Sequence, residues 1–234
     1  MEDIDAIALL QDPVRRRLYE YVATQGREVG RNEAAEAAGV ARTLAAHHLD
    51  RLTEAGLLES DSRRLTGRSG PGAGRPAKVY TRARAEWSVA LPARDYRTAA
   101  ELLAEAAEQA GLDAELRAAA RRRGEALRGS APPCGDLDEA VRTLAARGYE
   151  PHTEDAKDTE GTEAAGEAEG AGRVVRMRNC PFHAVAERFP PLVCGMNLAL
   201  LEGLLGTDGP LRARMDARPG ECCVVVEDSK TNAD

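Results

Sequence analysis

The pattern that most constrains this chain is a series of three helical segments near its N-terminus, separated by glycines. Apolar residues recur at helical spacing over residues 3–24, and two shorter helices are expected over 33–38 and 41–55. The shorter helices are followed by Gly39 and Gly56, and glycine readily adopts the left-handed conformation that ends a helix. Two short helices joined by a glycine turn predict a helix-turn-helix unit.

A basic hairpin is expected directly after the third helix. Residues 57–59 and 78–82 have the composition of short strands, and residues 63–76 between them are rich in glycine and arginine. The alternative is a disordered linker, but the alternation of residue types in 78–82 and the position of the hairpin favour a wing. Residues 1–90 are therefore predicted to form a winged helix-turn-helix domain.

Charge is distributed unevenly along the chain. The net charge of −7 is unusual for a protein that binds nucleic acid. However, residues 150–172 hold eight acidic residues and one lysine, so this stretch alone accounts for the net charge. Residues 40–84 hold nine basic and four acidic residues, a local charge of +5. Because local surface charge governs phosphate contact, the composition is compatible with DNA binding.

The third helix has one apolar face. At 100° per residue, five side chains fall on one side and are expected to pack inward. These are Leu44, Ala45, His48, Leu49 and Leu52. The opposite side carries Thr43, Ala46, His47 and Asp50, with Arg42 and Arg51 at its edges.

The first turns of such a helix enter the DNA major groove, where they meet base edges, and a basic wing contacts phosphates or the minor groove. This geometry predicts ten residues that contact DNA. Each of them lies on the outer side of the third helix or in the hairpin. They are Arg42, Thr43, Ala46, His47, Arg51, Arg63, Arg64, Arg68, Arg75 and Lys78.

Three stretches within the N-terminal region resemble ArsR-type bacterial winged-helix regulators. They are DPVRRRLYEYV at 12–22, AAHHLDRLTEAGLL at 45–58 and GRPAKVY at 74–80. The resemblance covers about residues 8–82. It implies a homodimer that binds a palindromic double-stranded DNA operator and has no enzymatic activity.

The remainder of the chain predicts an α+β arrangement. Residues 95–128 are alanine-rich and helical, with a possible break at Gly111. Their expected core residues are Leu102, Leu103, Leu112, Leu116 and Leu127. Further helices are expected over 136–147 and 190–205, and strands over 149–152, 173–178 and 222–227. The acidic stretch 153–172 has no apolar residue larger than alanine, so it is expected to be a disordered loop.

The predicted fold class is therefore α+β. Residues 1–90 form the winged helix-turn-helix, 91–130 a helical linker and dimerisation region, and 131–234 a small α+β sensor domain. No apolar run reaches membrane-spanning length, and the N-terminus is acidic rather than basic. We expect a cytoplasmic protein, associated with the nucleoid through DNA and without membrane contact.

Four of the five cysteines lie in the last third of the chain, at Cys180, Cys194, Cys222 and Cys223. In a reducing compartment, clustered cysteines more often bind metal or sense redox state than form structural disulfides. Three thiolates and one further ligand can hold a soft metal or an iron–sulfur cluster, and zinc is also allowed. Alternatively, the cysteines are small buried apolar residues. The alternation in CCVVV predicts that at most one of Cys222 and Cys223 points at a given site.

The segments NCP, FPPLVC, LLGTD and GEC resemble the C-terminal region of SufR-type regulators, over about residues 174–226. That family senses iron–sulfur supply through a bound cluster. The resemblance implies that Cys180, Cys194 and Cys222 hold the cluster. Asp208 stands where the family usually has a cysteine or histidine as the remaining ligand. His183, Cys223 or an exchangeable small molecule are the alternatives for that fourth position.

The favoured function is a dimeric repressor whose operator binding is controlled by a cysteine-held iron–sulfur cluster or metal. A second hypothesis is a winged-helix regulator controlled by a small apolar ligand, with structural or zinc-binding cysteines. A thiol enzyme using Cys180 and His183 is disfavoured, because no third orienting group or oxyanion loop is evident. A zinc-stapled protein-interaction module is the remaining alternative.

Overall fold

The computed structural model describes residues 2–63, 77–155 and 172–229. Three of the predicted wing contacts, Arg64, Arg68 and Arg75, lie outside the described residues, as does most of the acidic stretch. The chain divides into two compact units, Met1–Arg94 and Asp95–Asp234. Most of the helical region predicted as a separate linker therefore belongs to the second unit.

In the described residues, the first unit contains four α-helices, a short 3-10 helix at Leu9–Gln11 and three strands. In chain order the α-helices and strands are α1 Glu2–Ala8, α2 Pro13–Gln25, β1 Val29–Gly30, α3 Arg31–Ala38, α4 Arg42–Glu54, β2 Leu58–Arg63 and β3 Ala77–Arg82. Helix α2 begins at Pro13 because the Asp12 carboxylate accepts hydrogen bonds from the amides of Val14 and Arg15, at 2.8 and 2.9 Å. The three predicted helical segments are confirmed, with the first one broken at Asp12.

Strand β3 lies at the centre of a three-stranded antiparallel sheet in the order β1-β3-β2. The hairpin β2–β3 is the predicted wing, and its strands are longer than the sequence indicated. Strand β1 is only two residues long, too short for an alternating pattern, and was not predicted. The core of this unit lies between the sheet and α2, α3 and α4, around fully buried Leu18, Leu49, Leu52 and Tyr80.

Four of the five side chains predicted to pack inward from α4 are buried, namely Ala45, His48, Leu49 and Leu52. The prediction for Leu44 is wrong, since 42% of this residue is exposed. Its Cβ direction lies at the margin of the buried arc, about 90° from its centre. The burial of His48 confirms its prediction as a packed histidine.

The second unit contains five helices and four strands in the described residues. They are α5 Tyr96–Gln109, α6 Asp113–Arg128, α7 Leu137–Ala145, β4 Pro151–Asp155, β5 Arg173–Met177, α8 His183–Ala186, α9 Pro190–Leu205, β6 Leu211–Met215 and β7 Val224–Asp228. The predicted break at Gly111 and the limits of α9 are confirmed.

The four strands form an antiparallel sheet in the order β4-β5-β7-β6. Its core includes Leu144 of α7, Leu201 of α9, and Met177, Val224 and Val226 of the sheet. Strand β6 was not predicted, because its arginines interrupt the apolar pattern.

The prediction that residues 153–172 form a loop is wrong at its start. Residues 153–155 form the end of β4, where Thr153 pairs with Val175 and Asp155 with Arg173. The main-chain hydrogen bonds of this pairing hold an acidic segment that has no apolar side chain to bury. Residues 156–171 lie outside the described part of the chain.

Of the leucines predicted as core in the alanine-rich helices, Leu116 packs against the cluster around Phe189, Leu192 and Val193. The prediction for the other four is wrong, because these residues are exposed. They are Leu102, Leu103, Leu112 and Leu127. Helix α5 instead packs through its alanines, which bring its backbone close to the neighbouring helix.

Helices α6 and α9 contact each other backbone to backbone. A methyl group at Gly124 would lie 2.1 Å from the carbonyl oxygen of Leu200, and one at Gly203 would lie 2.2 Å from that of Arg121. Arg121 also pairs with Glu202 at 2.5 Å. This contact fixes α9, which carries part of the site described next, against α6.

Candidate DNA-reading surface and thiol cluster

The outer face of α4 presents exposed polar side chains. Arg42, Thr43, His47 and Arg51 are exposed, and Ala46 is half-buried between them. Arg51 lies 3.6 Å from Glu54 on the same helix, an exposed pair that leaves its charge available to solvent. The first two turns of α4 thus offer a guanidinium, a hydroxyl and an imidazole on one surface.

Asp50, predicted to point outward, is half-buried and lies at the centre of a polar network. Its carboxylate accepts hydrogen bonds from Lys78 Nζ at 2.7 Å, Tyr80 Oη at 2.8 Å and Arg31 Nη2 at 3.2 Å. Burial alone would raise the pKa of Asp50, but the hydrogen bonds from Lys78 and Tyr80 outweigh it and lower that pKa. The network ties α4 to β3 and to the start of α3, so it orients the exposed face of α4.

The Lys78 ammonium is paired with Asp50 inside the unit, and its contact with DNA stays a prediction. Arg63, at the end of β2, likewise pairs with Glu28 at 2.7 Å, although its side chain is largely exposed.

Four cysteines of the second unit are brought together near Asn197 of α9. The Asn197 Nδ2 atom lies 3.3 Å from Cys222 Sγ and 4.0 Å from Cys180 Sγ, Cys223 follows Cys222 in the chain, and Cys194 lies three residues before Asn197 on α9. We call Cys180, Cys222, Cys223 and Cys194 the thiol row. The hydrogen bonds from Cys180 and Cys223 lower the pKa of Cys222, and donating them raises the pKa of both donors. Cys222 is thus the preferred site of negative charge in the row.

That at most one of Cys222 and Cys223 points at a given site stays a prediction, although the strand geometry on which it was based does not extend to them. Strand β7 begins at Val224, and Cys222 and Cys223 precede it. The alternation of a strand therefore does not apply to them. The Cys222 amide donates a 2.8 Å hydrogen bond to the Met177 carbonyl oxygen, which fixes this segment beside the end of β5.

A buried amide lies against the row. Asn197, on α9 and fully buried, directs Nδ2 at Cys222 Sγ at 3.3 Å, with Cys180 Sγ at 4.0 Å. Its Oδ1 accepts a 2.5 Å hydrogen bond from Tyr149 Oη. Because Tyr149 fixes which way the amide points, the N–H donors face the sulfurs.

Two of the residues predicted as a fourth ligand have exposed side chains. Asp208 is exposed beyond the C-terminal end of α9, whereas Cys194 lies in its second turn. Eleven residues of helix between Cys194 and the end of α9 span about 16 Å, so the Asp208 prediction is not supported by the geometry. His183 is two-thirds exposed and pairs with Glu187 at 3.2 Å. Of the predicted candidates, Cys223 is the one brought to the other three cysteines.

The thiol row has the donors for a soft metal but is not closed around a single ion. Among the residues that the structure describes, no three of these sulfurs lie within 4.8 Å of one another. A tetrahedral zinc site needs sulfurs roughly 3.8 Å apart. The cysteine sulfurs around an iron–sulfur cluster are farther apart than those around a single ion, because the iron and sulfide atoms lie between them. N–H donors near the sulfur ligands are typical of such sites. The donor set therefore fits a cluster, provided that the row opens to admit it.

His152, Glu154 and Glu221 form the one other group of closely spaced ligand atoms in the described parts of the chain. Arg218 and Arg176 approach Glu154 Oε2 at 3.0 and 3.3 Å, so guanidinium groups already neutralise this site. Burial would raise the pKa of Glu154, but the hydrogen bond with His152 and the nearby arginine charges lower it. We interpret the group as an ion-pair network.

Comparison with known protein families bears on the first unit. A family model described as a helix-turn-helix domain matches residues 9–61. Residues 9–61 form a helix-turn-helix domain. Such a domain supports assignment to DNA-binding transcription regulators, a class that is generally not enzymatic. No curated protein and no solved structure matches the chain.

The helix-turn-helix domain includes α4 and its exposed face, and it ends within the wing. None of the helices in the described residues is long and apolar enough to cross a membrane. Sequence reasoning missed Asn197 and Tyr149 as parts of the thiol site. An asparagine within the apolar stretch of α9 was the available signal, since a buried amide requires hydrogen-bond partners.

Proposed function

We propose that the protein is a dimeric, sequence-specific transcription repressor whose operator binding is controlled through the thiol row. The observation that carries the proposal is the exposed polar face of α4 within a helix-turn-helix domain. In this function α4 lies in the major groove, with Arg42 positioned for guanine or phosphate and Ala46 for a thymine methyl group. Thr43, His47 and Arg51 complete the contact, and Arg63 with the other wing arginines contacts phosphates.

Exposed apolar side chains support the homodimer. On α5, 61% of Leu102 and 72% of Leu103 are exposed, as is most of Tyr96. A second copy of the chain that covers these residues would remove that surface from water. A dimer presents two copies of α4, and its affinity for a palindromic operator depends on the distance between them.

The second part of the proposal is that the row holds an iron–sulfur cluster or, alternatively, a soft metal such as zinc. Cys180, Cys194 and Cys222 would be ligands, and Cys223 takes the fourth position in place of Asp208. A bound cluster would link its cysteine ligands to one another, and iron shortage or oxidants would remove that link. Asn197 donates to the sulfurs, Tyr149 orients Asn197, and α9 positions Cys194. Loss of ligation relaxes the packing of this unit, which in a dimer alters the spacing of the recognition helices.

Replacing Arg42 and His47 together by alanine is expected to weaken operator binding by about 100-fold, since each base contact contributes about 1–3 kcal/mol. The operator is first selected from random duplexes, and affinity is measured by fluorescence anisotropy over a range of salt concentrations. The slope of log affinity against log salt should also become shallower.

The control removes at least as much positive charge elsewhere, by changing Arg122 and Arg123, exposed on α6, to alanine. This variant should keep most of its affinity. Equal losses in both variants would indicate a general charge effect. Wild-type affinity in the Arg42/His47 variant would contradict the proposed use of α4.

Purification without oxygen is expected to give coloured protein that contains iron and acid-labile sulfide. Cys180→Ser and Cys194→Ser should lose the iron, whereas Cys134→Ser and His183→Ala should keep it. Cys134 is a buried cysteine outside the row, near Thr143, so its variant controls for the loss of a thiol. Colourless, metal-free protein with full DNA affinity would contradict control by a cluster.

A further inference from the structure

We propose that Asp50 and Tyr80 are positioning residues for DNA recognition, which hold Arg31 and Lys78 in place to contact backbone phosphates beside α4. Arg31 is then a DNA contact that the sequence did not indicate. The inference rests on the proposed use of α4 in the major groove, and it adds what sets the position of that helix relative to the DNA backbone.

The polar network around Asp50 lies on the side of α4 that is proposed to face DNA. At 100° per residue, Asp50 points in a direction between those of Ala46 and His47. A lone carboxylate at this position would repel the phosphates of a duplex. Asp50 is instead paired with two cations, Arg31 and Lys78, and two positive charges against one negative leave the group at +1.

Tyr80 gives the network a fixed anchor. It is fully buried in the core of the first unit, on the central strand β3 of the sheet. Its hydroxyl group donates a 2.8 Å hydrogen bond to Asp50 Oδ1 and accepts one of 2.8 Å from Arg31 Nε. Because the ring is enclosed by a close-packed core, these two bonds fix both partners relative to that core.

The two cations are held on one side and open to solvent on the other. Arg31 Nη2 lies 3.2 Å from each carboxylate oxygen of Asp50, and Lys78 Nζ lies 2.7 Å from Oδ1. Arg31 Cζ and Lys78 Nζ also lie 5.8 and 5.3 Å from the centre of the Tyr80 ring. The two side chains are nevertheless 31% and 32% exposed, so a ligand that arrives from solvent can reach them.

A phosphate group is the ligand that suits this pair. Arginine and lysine both bind phosphate oxygens through charge-assisted hydrogen bonds. In the described residues, Arg31 Nη1 has no hydrogen-bond partner, and Lys78 uses one of its three donors. A backbone phosphate bound here, next to the bases that α4 reads, would fix the position of the helix along the groove.

Cations held in one place favour the operator over other sequences. Freely moving lysine and arginine side chains contact phosphates on any duplex, which raises affinity without regard to sequence. Cations held by Asp50 and Tyr80 reach a phosphate only where α4 lies correctly in the groove. The network is therefore expected to increase the ratio of operator affinity to random-duplex affinity.

The test measures the affinity of the full-length protein for the selected operator and for a shuffled duplex of the same composition, over a range of salt concentrations. Tyr80→Phe keeps the ring and the charge but removes the anchoring hydroxyl group, and Asp50→Asn keeps the shape but releases both cations. Each variant should lower the operator-to-shuffled ratio by about tenfold, the effect at 0.1 M salt of about one phosphate contact. Asp50→Asn should also bind the shuffled duplex more tightly than wild type does.

Arg31→Gln tests the proposed contact itself. It should weaken operator binding by about tenfold at 0.1 M salt and reduce the slope of log affinity against log salt by about 1. Glu20→Gln is the matched control for Asp50→Asn, because it removes the same charge from an exposed position on α2. It should leave the operator-to-shuffled ratio unchanged.

An unchanged ratio in Asp50→Asn, or an equal fall in Glu20→Gln, would overturn the inference. So would a loss of discrimination at a single base pair, since that would show Asp50 accepting a hydrogen bond from a cytosine. Asp50 is more than one-third exposed, so its variant decides the matter even if Tyr80→Phe folds poorly. The proposed function fails separately, if the Arg42/His47 variant binds the operator as wild type does.

Discussion

Gly203→Ala is expected to lower the free energy of unfolding of the second unit by about 3 kcal/mol or more, at the upper end of the cost of overpacking a core. The added methyl group would lie 2.2 Å from the Arg121 carbonyl oxygen and 3.0 Å from the Glu125 amide nitrogen. Both are backbone atoms of a helix and cannot rotate away. The helices must separate, which loosens the packing of α9 on α6.

The measurement is thermal unfolding followed by circular dichroism, with an expected decrease in Tm of about 10 °C. Gly195→Ala on the same helix is the matched control. Its methyl group would lie 3.0 Å from Arg117 Nε, the end of a flexible side chain that can move. Alanine also favours helix over glycine by about 1 kcal/mol, so this variant should be neutral or slightly more stable. Similar Tm values for the two variants would contradict the close contact.

Arg176→Ala is expected to destabilise the second unit by about 3–5 kcal/mol, the usual cost of removing one partner from a buried ion pair. Arg176 is 1% exposed, and its guanidinium lies 2.5 Å from Asp216 and 3.3 Å from Glu154. Glu221 is a third carboxylate at 3.9 Å. Without Arg176, these three negative charges face one another in a partly dehydrated site.

The control is Arg214→Ala, which removes an arginine paired with the same Asp216, at 3.1 Å, but from a position that is more than one-third exposed. Its effect should be about 1 kcal/mol or less. Urea unfolding of the two variants distinguishes these outcomes. An equal and small loss in both would show that Arg176 is not needed to balance the buried carboxylates.

The pH dependence of stability provides a second readout. For Asp216, burial would raise the pKa, but the hydrogen bond and charge of Arg176 lower it below the unfolded value of about 4. A lowered pKa stabilises the folded state above the unfolded pKa, and this stabilisation disappears as pH falls through the folded pKa. Wild-type protein should therefore lose stability below about pH 4 more steeply than Arg176→Ala.

The regular helices were predictable because their signals are local. Gly39, Gly56 and Gly111 have positive φ angles where helices end or break, and α9 runs from a pair of prolines at 190 and 191 to Gly206, which also has a positive φ angle. Leu44 was misplaced because a helical wheel gives a direction but not the neighbours that cover it. Strand β6 was missed because a strand that alternates with arginine depends on the sheet around it.

The site was predictable in its residue types and less so in its contacts. The cysteines were found from their clustering, but the strand alternation expected for Cys222 and Cys223 does not apply to them, because β7 begins at Val224. The pairing of Lys78 with Asp50 joins residues 28 positions apart, so nothing local in the sequence indicates it. Asn197 and Tyr149 are 48 residues apart in the sequence, so no local pattern indicates the hydrogen bond between them.

Helix α9 holds Cys194 in its second turn and Gly203 in its last, nine residues and about 14 Å away. At Gly203 the backbones of α9 and α6 are in direct contact, so no side chain lies between them to absorb a movement. We therefore expect a shift of α9 at Cys194 to move α6 as well, because the two backbones are in direct contact at Gly203.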